Sequence, residues 1–267
     1  MLADLDVEYI DEPINTTCRD YAPANRVFAG AWAEARSNSD FLVVMDSDTV
    51  LLREPELPRD ADAAARPVDT KGSATRGPGD AFEEYWRTLA AMSGISLDRL
   101  PFTRSTIEGE RIRASYNAGL IVCRREKGIF ARGAELFSRS LEAGMRPYRG
   151  SGIDIYASTG PVGQAGSEFW GSSQAVLAIA IWATTSRVVH FPGSYNLPLH
   201  MVAGKGSIDP QWTAEPPVHV HYHYMFSPQR HEVAMAILEE LGVPADRRAW
   251  LAARIPFREL SEARQVA

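Results

Sequence analysis

The clearest pattern in this chain is a run of five apolar residues, 41–45, that ends in two aspartates one residue apart, Asp46 and Asp48. Two of the five are valines, whose β-branched side chains favour a buried strand. Ligands usually bind at the carboxyl edge of an open α/β sheet, where such a strand ends. The pattern therefore predicts a core strand with a polar site at its end.

Helical and extended patterns alternate along the rest of the chain. Apolar residues favour helices over residues 24–36, 81–92, 126–143 and 172–182, and short apolar runs that favour strands lie at 120–122 and 188–191. Alternation of this kind is typical of α/β proteins. We therefore predict an α/β fold with a mixed, mainly parallel sheet flanked by helices.

Composition divides the chain into segments. Residues 53–80 are rich in Pro, Asp, Ala, Gly and Arg and hold few large apolar residues, which predicts a mobile insertion. Ser227 and Pro228 form a typical helix start, and Gly242 a typical helix end. We expect a catalytic domain over residues 1–225 and a C-terminal helical appendage over residues 226–267.

The overall composition excludes several classes of protein. The 267 residues are 45% hydrophobic with a formal net charge of −6, which allows a sizeable core and argues against a general nucleic-acid binder. Two cysteines do not make a disulfide framework or a Cys-based zinc site. The first residues lack a signal-peptide pattern, and the longest apolar run, 175–183, is too short to span a bilayer. We expect a cytoplasmic protein without a transmembrane segment.

The paired aspartates have a specific chemical interpretation. If the strand continues through Asp46 and Asp48, both side chains point the same way, because extended backbone has a side-chain period of two. Two carboxylates side by side repel each other, and Mg²⁺ or Mn²⁺, which prefer oxygen ligands and often bridge to phosphates, would remove that repulsion. An EF-hand is excluded, because Leu51 and Leu57 stand where its glycine and its last glutamate are needed. A simple turn after the strand is the alternative without a ligand.

Two further features carry candidate chemistry. His219, His221 and His223, half of the chain's histidines, alternate along one short apolar segment. A period of two places them on one face of a strand, which favours a ligand or phosphate site. Arg26, early in the helix predicted over 24–36, is within reach of a phosphate, although a solvated surface arginine is the commoner case.

Four motifs, taken in order, resemble the GT-A-type glycosyltransferases, most closely the branch of glycogenin and the lipopolysaccharide galactosyltransferases. They are Asp46-Ser47-Asp48, Tyr116-Asn117-Ala118-Gly119-Leu120, Ser172-Ser173-Gln174 and Val220-His221-Tyr222. The resemblance covers roughly residues 20–225, and the order of the motifs is more specific than any one of them. It implies a nucleotide-diphosphate sugar donor, a carbohydrate or other hydroxyl acceptor, and Mn²⁺ or Mg²⁺ as cofactor.

The resemblance also implies a set of metal ligands. In that family, the two aspartates and a histidine near the end of the catalytic domain hold the metal. The matching residues are Asp46, Asp48 and His221, with His219 and His223 as alternatives to His221.

The same resemblance implies residues that contact the sugars. Asn117 matches the position that contacts the donor sugar, and Gln174 the position beside the reacting sugar. The family has an acid before this glutamine, whereas this chain has Ser173, so Glu168 is the nearest suitable carboxylate. We predict Glu168 as the general base if the reaction inverts. If it retains, Glu168 or Gln174 would support the oxocarbenium-like centre.

Two other functions remain open at this level. Residues 41–50 also match the first motif of haloacid-dehalogenase-like phosphohydrolases, in which Asp46 would be the nucleophile and Asp48 the general acid and base. That interpretation leaves the alternating histidines without a role. The third possibility is a non-catalytic protein of the GT-A fold that binds a nucleotide or a carbohydrate.

Overall fold

The apolar run at 41–45 forms an edge strand of a mixed sheet in the computed structural model, which describes residues 7–157, 160–205, 215–222 and 228–254. The strands are β1 (Phe41–Met45), β2 (Thr49–Leu51), β3 (Ala63–Pro67), β4 (Phe102–Arg104), β5 (Arg111–Arg113), β6 (Tyr116–Arg124), β7 (Tyr156–Ala157), β8 (Gly160–Pro161), β9 (Val188–His190), β10 (Leu197–Pro198) and β11 (His219–His221). The helices are α1 (Asn25–Arg36), α2 (Glu83–Met92), α3 (Ile129–Glu142), α4 (Gln164–Glu168), α5 (Ser172–Thr184), α6 (Leu199–Lys205), α7 (Pro228–Glu240) and α8 (Ala245–Ala252). Over these described ranges, every helix is too short or too polar to cross a membrane.

The central sheet confirms the predicted α/β class and has strands of mixed direction. Its order is β1-β6-β3-β9. Strands β1, β3 and β9 run the same way, as a mainly parallel sheet requires, but β6 runs against them between β1 and β3. Two of the three strand pairings are therefore antiparallel. The reversed direction of β6 brings its first residues to the same edge as the carboxyl ends of β1 and β3.

The stretch predicted as a mobile insertion contains a central strand instead. Within residues 53–80, β3 is fully buried between β6 and β9. The prediction failed because β3 is built from small alanines and from Arg66, which is paired with Asp69, so it lacks the large apolar residues that indicate a core strand. Part of the segment is thus core, and the loop after β3 leads directly to the carboxyl edge of the sheet.

The two faces of the central sheet are covered differently. Helices α1, α3 and α5 pack together on one face, where the main core includes Leu42, Ile121, Phe130 and Phe137. The opposite face carries a smaller cluster of Leu120, Val122, Phe191, Tyr195 and Val218. The sheet is held from both sides, which makes its carboxyl edge a rigid base for a site.

A second small sheet carries His219 and His221. Its order is β10-β11-β2, and β11 is antiparallel to β2 with His221 opposite Thr49. Helices α6, α7 and α8 share a hydrophobic cluster with these strands, including Val220, Ile237 and Leu238. The segment predicted as an appendage therefore packs on the strand that holds His221, while the domain boundary near residue 225 stays a prediction.

Asp62, just before β3 at the end of the central sheet away from its carboxyl edge, is expected to make stability depend on pH. Asp62 is 2% exposed, accepts a hydrogen bond from Thr185, and lies 3.3–3.8 Å from the charged groups of Arg124, Lys127 and Arg187. Burial alone would raise the pKa of Asp62, but the Thr185 hydrogen bond and the three cations lower it below its ordinary value of 3.8. Since the folded pKa is lower, the carboxylate stabilises the fold above that value and loses its contribution as the pH falls through the folded pKa.

We expect Asp62→Asn to lower the free energy of unfolding by about 1.5–3 kcal/mol at pH 6, the range for hydrogen bonds to charged groups. Urea unfolding at pH 6 and at pH 3 measures this, and the difference from the unmodified protein should shrink at the lower pH. The exposed neighbour Asp60, changed to Asn, is the control and should have little effect at either pH. A penalty that stays constant with pH would contradict the assigned role of the charge.

Candidate metal and donor site

A cavity of about 530 Å³ opens at the carboxyl edge of the central sheet. Its walls come from the residues after β1, the start of β6, the loop after β3, the first turns of α1 and α5, and residues of α6 and β11. Of the residues predicted for the site, those in its walls are Arg26, Asp46, Asp48, Asn117, Gln174 and His221. Residues from distant parts of the sequence thus meet at one opening.

Asp46, Asp48 and His221 form a cluster in this cavity. One ligand atom from each of the three lies within 4.8 Å of the others, and Nε2 of His221 is 2.8 Å from Oδ1 of Asp48. Asp46 and Asp48 lie in a turn rather than in a continued strand, and the hydroxyl of Thr49 donates to the carbonyl of Asp46 at 2.7 Å. This turn, rather than a strand period of two, directs the carboxylates toward the imidazole.

The register of the second sheet explains why His221 is the histidine of this cluster. Thr49 pairs with His221, so Asp48 lies beside it, and the amide of Tyr222 donates to the carbonyl of Asp48 at 3.0 Å. His219 is fully buried and its Nδ1 accepts from the amide of Asn196. Burial, with a smaller effect of His221, lowers the pKa of His219 to about 4. The third candidate, His223, lies outside the described residues.

Arg26 joins the cluster through Asp46. Its guanidinium nitrogen lies 3.1 Å from Oδ2 of Asp46, and the two side chains are 18% and 14% exposed. The prediction placed Arg26 within reach of a phosphate, and its position in the cavity wall is compatible with that. A guanidinium has five N–H donors, so the ion pair with Asp46 leaves donors for an anionic ligand.

Asn117 is held in one orientation by its neighbours. Its Nδ2 donates to Oδ2 of Asp69 at 2.7 Å, and its Oδ1 accepts from the amide of Gly119 at 2.9 Å. Asp69 in turn accepts from Arg66 and Thr106 at 2.7 and 3.0 Å. An amide with one hydrogen committed to Asp69 keeps a second hydrogen for a ligand hydroxyl.

Asp69 is a cavity residue that the sequence reading missed. It follows β3 by two residues at the same edge as Asp46. The segment around it was interpreted as an insertion, so its position at a strand end was not recognised. A short alanine run followed closely by an aspartate was the available signal, and it is weak by itself.

The structure does not bring Glu168 to this cavity. Its carboxylate accepts from Arg146 at 2.5 Å and from the amide of Gly150 at 2.8 Å, and the cavity walls do not include it. The hydrogen bonds from Arg146 and Gly150, with the nearby positive charges, lower the pKa of Glu168. A carboxylate held in this way outside the cavity walls is a weak base, so the geometry does not support the prediction of Glu168 as the general base.

The comparisons with known proteins identify the family. The sequence profile of the Rhodobacterales glycosyltransferase domain matches residues 1–143, more than half of the chain. The chain belongs to this family. Among solved structures it is similar, at 14% identity and a TM-score of 0.39, to the apo structure of the bifunctional glycosyltransferase WbbM, with 80% of this chain and 35% of that chain covered. The chain thus spans about a third of that protein's length, and no curated protein matches it.

Membership of the Rhodobacterales glycosyltransferase domain family decides between two of the earlier interpretations. It overturns the haloacid-dehalogenase-like alternative with Asp46 as nucleophile. The matched region also separates the site into two parts. Gln174 and His221 lie beyond it, whereas the polar cavity residues inside it include Arg26, Asp46, Asp48, Asp69 and Asn117. The contribution of β11 to the site is therefore an observation from the structure of this chain.

Proposed function

We propose that this member of the family is a glycosyltransferase of the GT-A type that transfers a sugar from a nucleotide-diphosphate donor to a hydroxyl acceptor. In this proposal, Asp46, Asp48 and His221 hold Mn²⁺ or Mg²⁺. The observation that carries the proposal is the convergence of these three side chains, with ligand atoms within 4.8 Å, in one cavity. The acceptor is a carbohydrate or another molecule with a free hydroxyl.

The donor set fits the proposed cofactor. Two carboxylates and an imidazole are ligands that Mn²⁺ accepts readily, and Mg²⁺ accepts the carboxylates with waters and phosphates completing its octahedron. Among the described residues of the cavity wall, the two negative charges of Asp46 and Asp48 exceed the positive charge of Arg26, so a divalent cation is electrostatically favoured. When bound, such a cation stabilises the negative charge that grows on a diphosphate leaving group.

The residues around the cluster have separate proposed tasks. Transfer breaks the bond between the anomeric carbon and the diphosphate oxygen and forms a bond from that carbon to the acceptor oxygen. The nucleotide diphosphate leaves, and the proton of the acceptor hydroxyl is released to solvent. Arg26 would donate to a phosphate oxygen while Asp46 keeps the guanidinium in place. Asn117, fixed by Asp69, would donate its second amide hydrogen to a donor-sugar hydroxyl. Gln174, at the start of α5 in the cavity wall, would lie beside the reacting sugar.

A thermal-shift panel of nucleotides and nucleotide sugars, with and without Mn²⁺, tests this function. We expect Mn²⁺ alone to raise Tm slightly, and Mn²⁺ with UDP or GDP to raise it by roughly 5–10 °C when the nucleotide is at 100 times its Kd, since binding then adds about 2.7 kcal/mol. The nucleotide without Mn²⁺, in the presence of EDTA, should give a much smaller shift.

The same panel separates this function from the remaining alternative. Release of UDP or GDP from one of the nucleotide sugars supports transfer. A metal-dependent nucleotide shift without turnover of any nucleotide sugar would support the non-catalytic binding protein. Two outcomes would contradict a nucleotide-sugar donor site. One is a Tm shift by Mn²⁺ that is the same with and without nucleotide, and the other is a Tm that neither Mn²⁺ nor nucleotide changes.

A further inference from the structure

Gly119 on β6 lies at the point where the separate parts of the proposed metal site meet. Its carbonyl accepts from the amide of Asp46 at 3.2 Å, and its own amide donates to the side chain of Asn117 at 2.9 Å. It also lies where the pairing of β6 with β3 shifts register, between the partners of Ala65 and Arg66. The main chain of Gly119 thus contacts Asp46, a proposed metal ligand, and Asn117, a residue proposed to bind the donor sugar.

The space next to the Cα of Gly119, where any other residue would have its Cβ, is also occupied. A Cβ at this position would lie 2.5 Å from Oδ1 of Asn196 and 3.0 Å from Nδ1 of His221. The φ angle of Gly119 is outside the left-handed region, so its backbone conformation does not require glycine. Space is the reason for glycine here: the side chains of Asn196 and His221 occupy the volume that a methyl group would need.

Asn196 is unusual in both its backbone conformation and its side-chain environment. It is fully buried and has a φ of 49°, which is unusual for a residue other than glycine. Its main chain is anchored, because its amide donates to Nδ1 of His219 and its carbonyl accepts from Arg66. The side-chain amide makes no hydrogen bond among the described residues. A buried amide without hydrogen bonds is costly, so the presence of Asn196 next to Gly119 and His221 is better explained by a role other than stability.

We propose that Gly119 and Asn196 are positioning residues for His221. This inference rests on the proposed function, in which His221 is a metal ligand. The side-chain amide of Asn196 and Nδ1 of His221 lie around the same point beside the Cα of Gly119, each within 3.1 Å of where a Cβ would stand, and Nε2 of the imidazole faces Asp48. Because metal ligands tolerate displacements of only about 0.2 Å, lateral support of the ring sets the affinity of the site.

Mn²⁺ affinity, measured by EPR of free Mn²⁺, tests this proposal without any substrate. We expect Gly119→Ala to raise the Kd for Mn²⁺ by about 10–100-fold, the range for residues that support metal ligands. The hydrogen bonds of Gly119 use only its main chain and are retained. Gly144→Ala is the matched control: its φ of +67° makes alanine strained, but a Cβ there meets nothing within 4 Å. Gly144→Ala should lower Tm without changing the Kd for Mn²⁺.

Two further variants show whether Asn196 transmits the effect. Asn196→Gly keeps the main-chain bonds and suits the positive φ, so it should fold, and loss of lateral support should also raise the Kd for Mn²⁺. In the double variant Gly119→Ala/Asn196→Gly, the new methyl group occupies the space of the lost amide, while its approach to Nδ1 of His221 at 3.0 Å remains, so we expect part of the affinity to return. This recovery is a result that a general loss of stability would not produce.

The outcomes distinguish this inference from the proposed function. If the unmodified protein binds Mn²⁺ and both single variants bind it equally well, the positioning role is wrong and the metal site stands. A double variant that binds no better than Gly119→Ala would also overturn the role of Asn196. If the unmodified protein itself binds no Mn²⁺, the metal site and the positioning role are both wrong.

Discussion

Replacing Asp48 with asparagine is expected to lower the rate of nucleotide-sugar turnover by about 10³-fold, or ~4 kcal/mol in transition-state stabilisation. The substitution removes one of the two carboxylate charges beside His221 and reduces the affinity for the divalent cation. It leaves the main-chain bond from Tyr222 to the carbonyl of residue 48 in place. The fold should therefore survive, and the loss should be confined to metal binding and turnover.

The measurement is the release of nucleotide diphosphate from the donor identified in the thermal-shift panel, with the Kd for Mn²⁺ as a second readout. Asp40→Asn is the matched control, because Asp40 is an exposed aspartate just before β1, whereas Asp48 follows the same strand. Asp40→Asn should keep both turnover and affinity. Turnover near that of the unmodified protein in Asp48→Asn would refute the proposed metal site.

The second large effect concerns stability. Asp69→Asn is expected to lower the free energy of unfolding by about 3–5 kcal/mol, the range for breaking a buried ion pair by removing one partner. Arg66 has a side chain that is 1% exposed, and its bond to Asp69 is 2.7 Å long. Burial lowers the pKa of Arg66 and the charge of Asp69 opposes that effect. Without the carboxylate, a buried guanidinium remains uncompensated.

A second reason for this destabilisation comes from Asn117. An asparagine at residue 69 that directs its oxygen toward Arg66 presents its amide group to the amide group of Asn117, where the carboxylate accepted a hydrogen bond. Urea unfolding followed by tryptophan fluorescence measures the loss. The control is Glu135→Gln, which removes the exposed ion pair between Glu135 and Arg139 on α3 and should change stability by less than about 0.5 kcal/mol. If Asp69→Asn and Glu135→Gln lowered the free energy of unfolding equally, burial would not be the reason for the large effect at Asp69.

The position of Asp69 links the stability of the fold to the proposed chemistry. The same carboxylate that compensates Arg66 inside the sheet orients Asn117 in the cavity. A substitution at Asp69 is therefore expected to weaken both the fold and the donor site. Variants at Asp48 should affect the site more than the fold, because the main-chain bond from Tyr222 to Asp48 is kept and the carboxylate lies in the cavity beside His221.

Local patterns in the sequence were sufficient for several parts of this picture. Five apolar residues followed by two aspartates predicted a buried strand with acids at its end. The strand and the acids are present as β1 and the turn at Asp46 and Asp48, but the predicted burial is wrong, because β1 is an edge strand in which Leu42 is buried while Val43 and Met45 are exposed. Helical spacing located α1, α3 and α5, and the opening of α5 at Ser172 placed Gln174 in its first turn. These features depend on neighbours in the chain, so local periodicity and capping preferences record them.

Other parts were decided by the tertiary structure. The strand β3 was missed because alanines carry little strand signal, and its burial depends on partners from β6 and β9. Asp69 was missed with it. Glu168 was close in sequence to the expected position, but Arg146 and Gly150 hold its carboxylate outside the cavity. A side chain's role depends on such partners, and their identity is not encoded locally.

The sequence by itself determined that acids at a strand end and a set of alternating histidines exist in this chain. Only the tertiary structure decided which histidine meets the acids. Asp48 and His221 are 173 residues apart, and they meet because the antiparallel register of β2 and β11 places Thr49 opposite His221. Packing of α6, α7 and α8 favours this register, because Val220 of β11 lies in their hydrophobic cluster and a shift of one residue would place a histidine there instead.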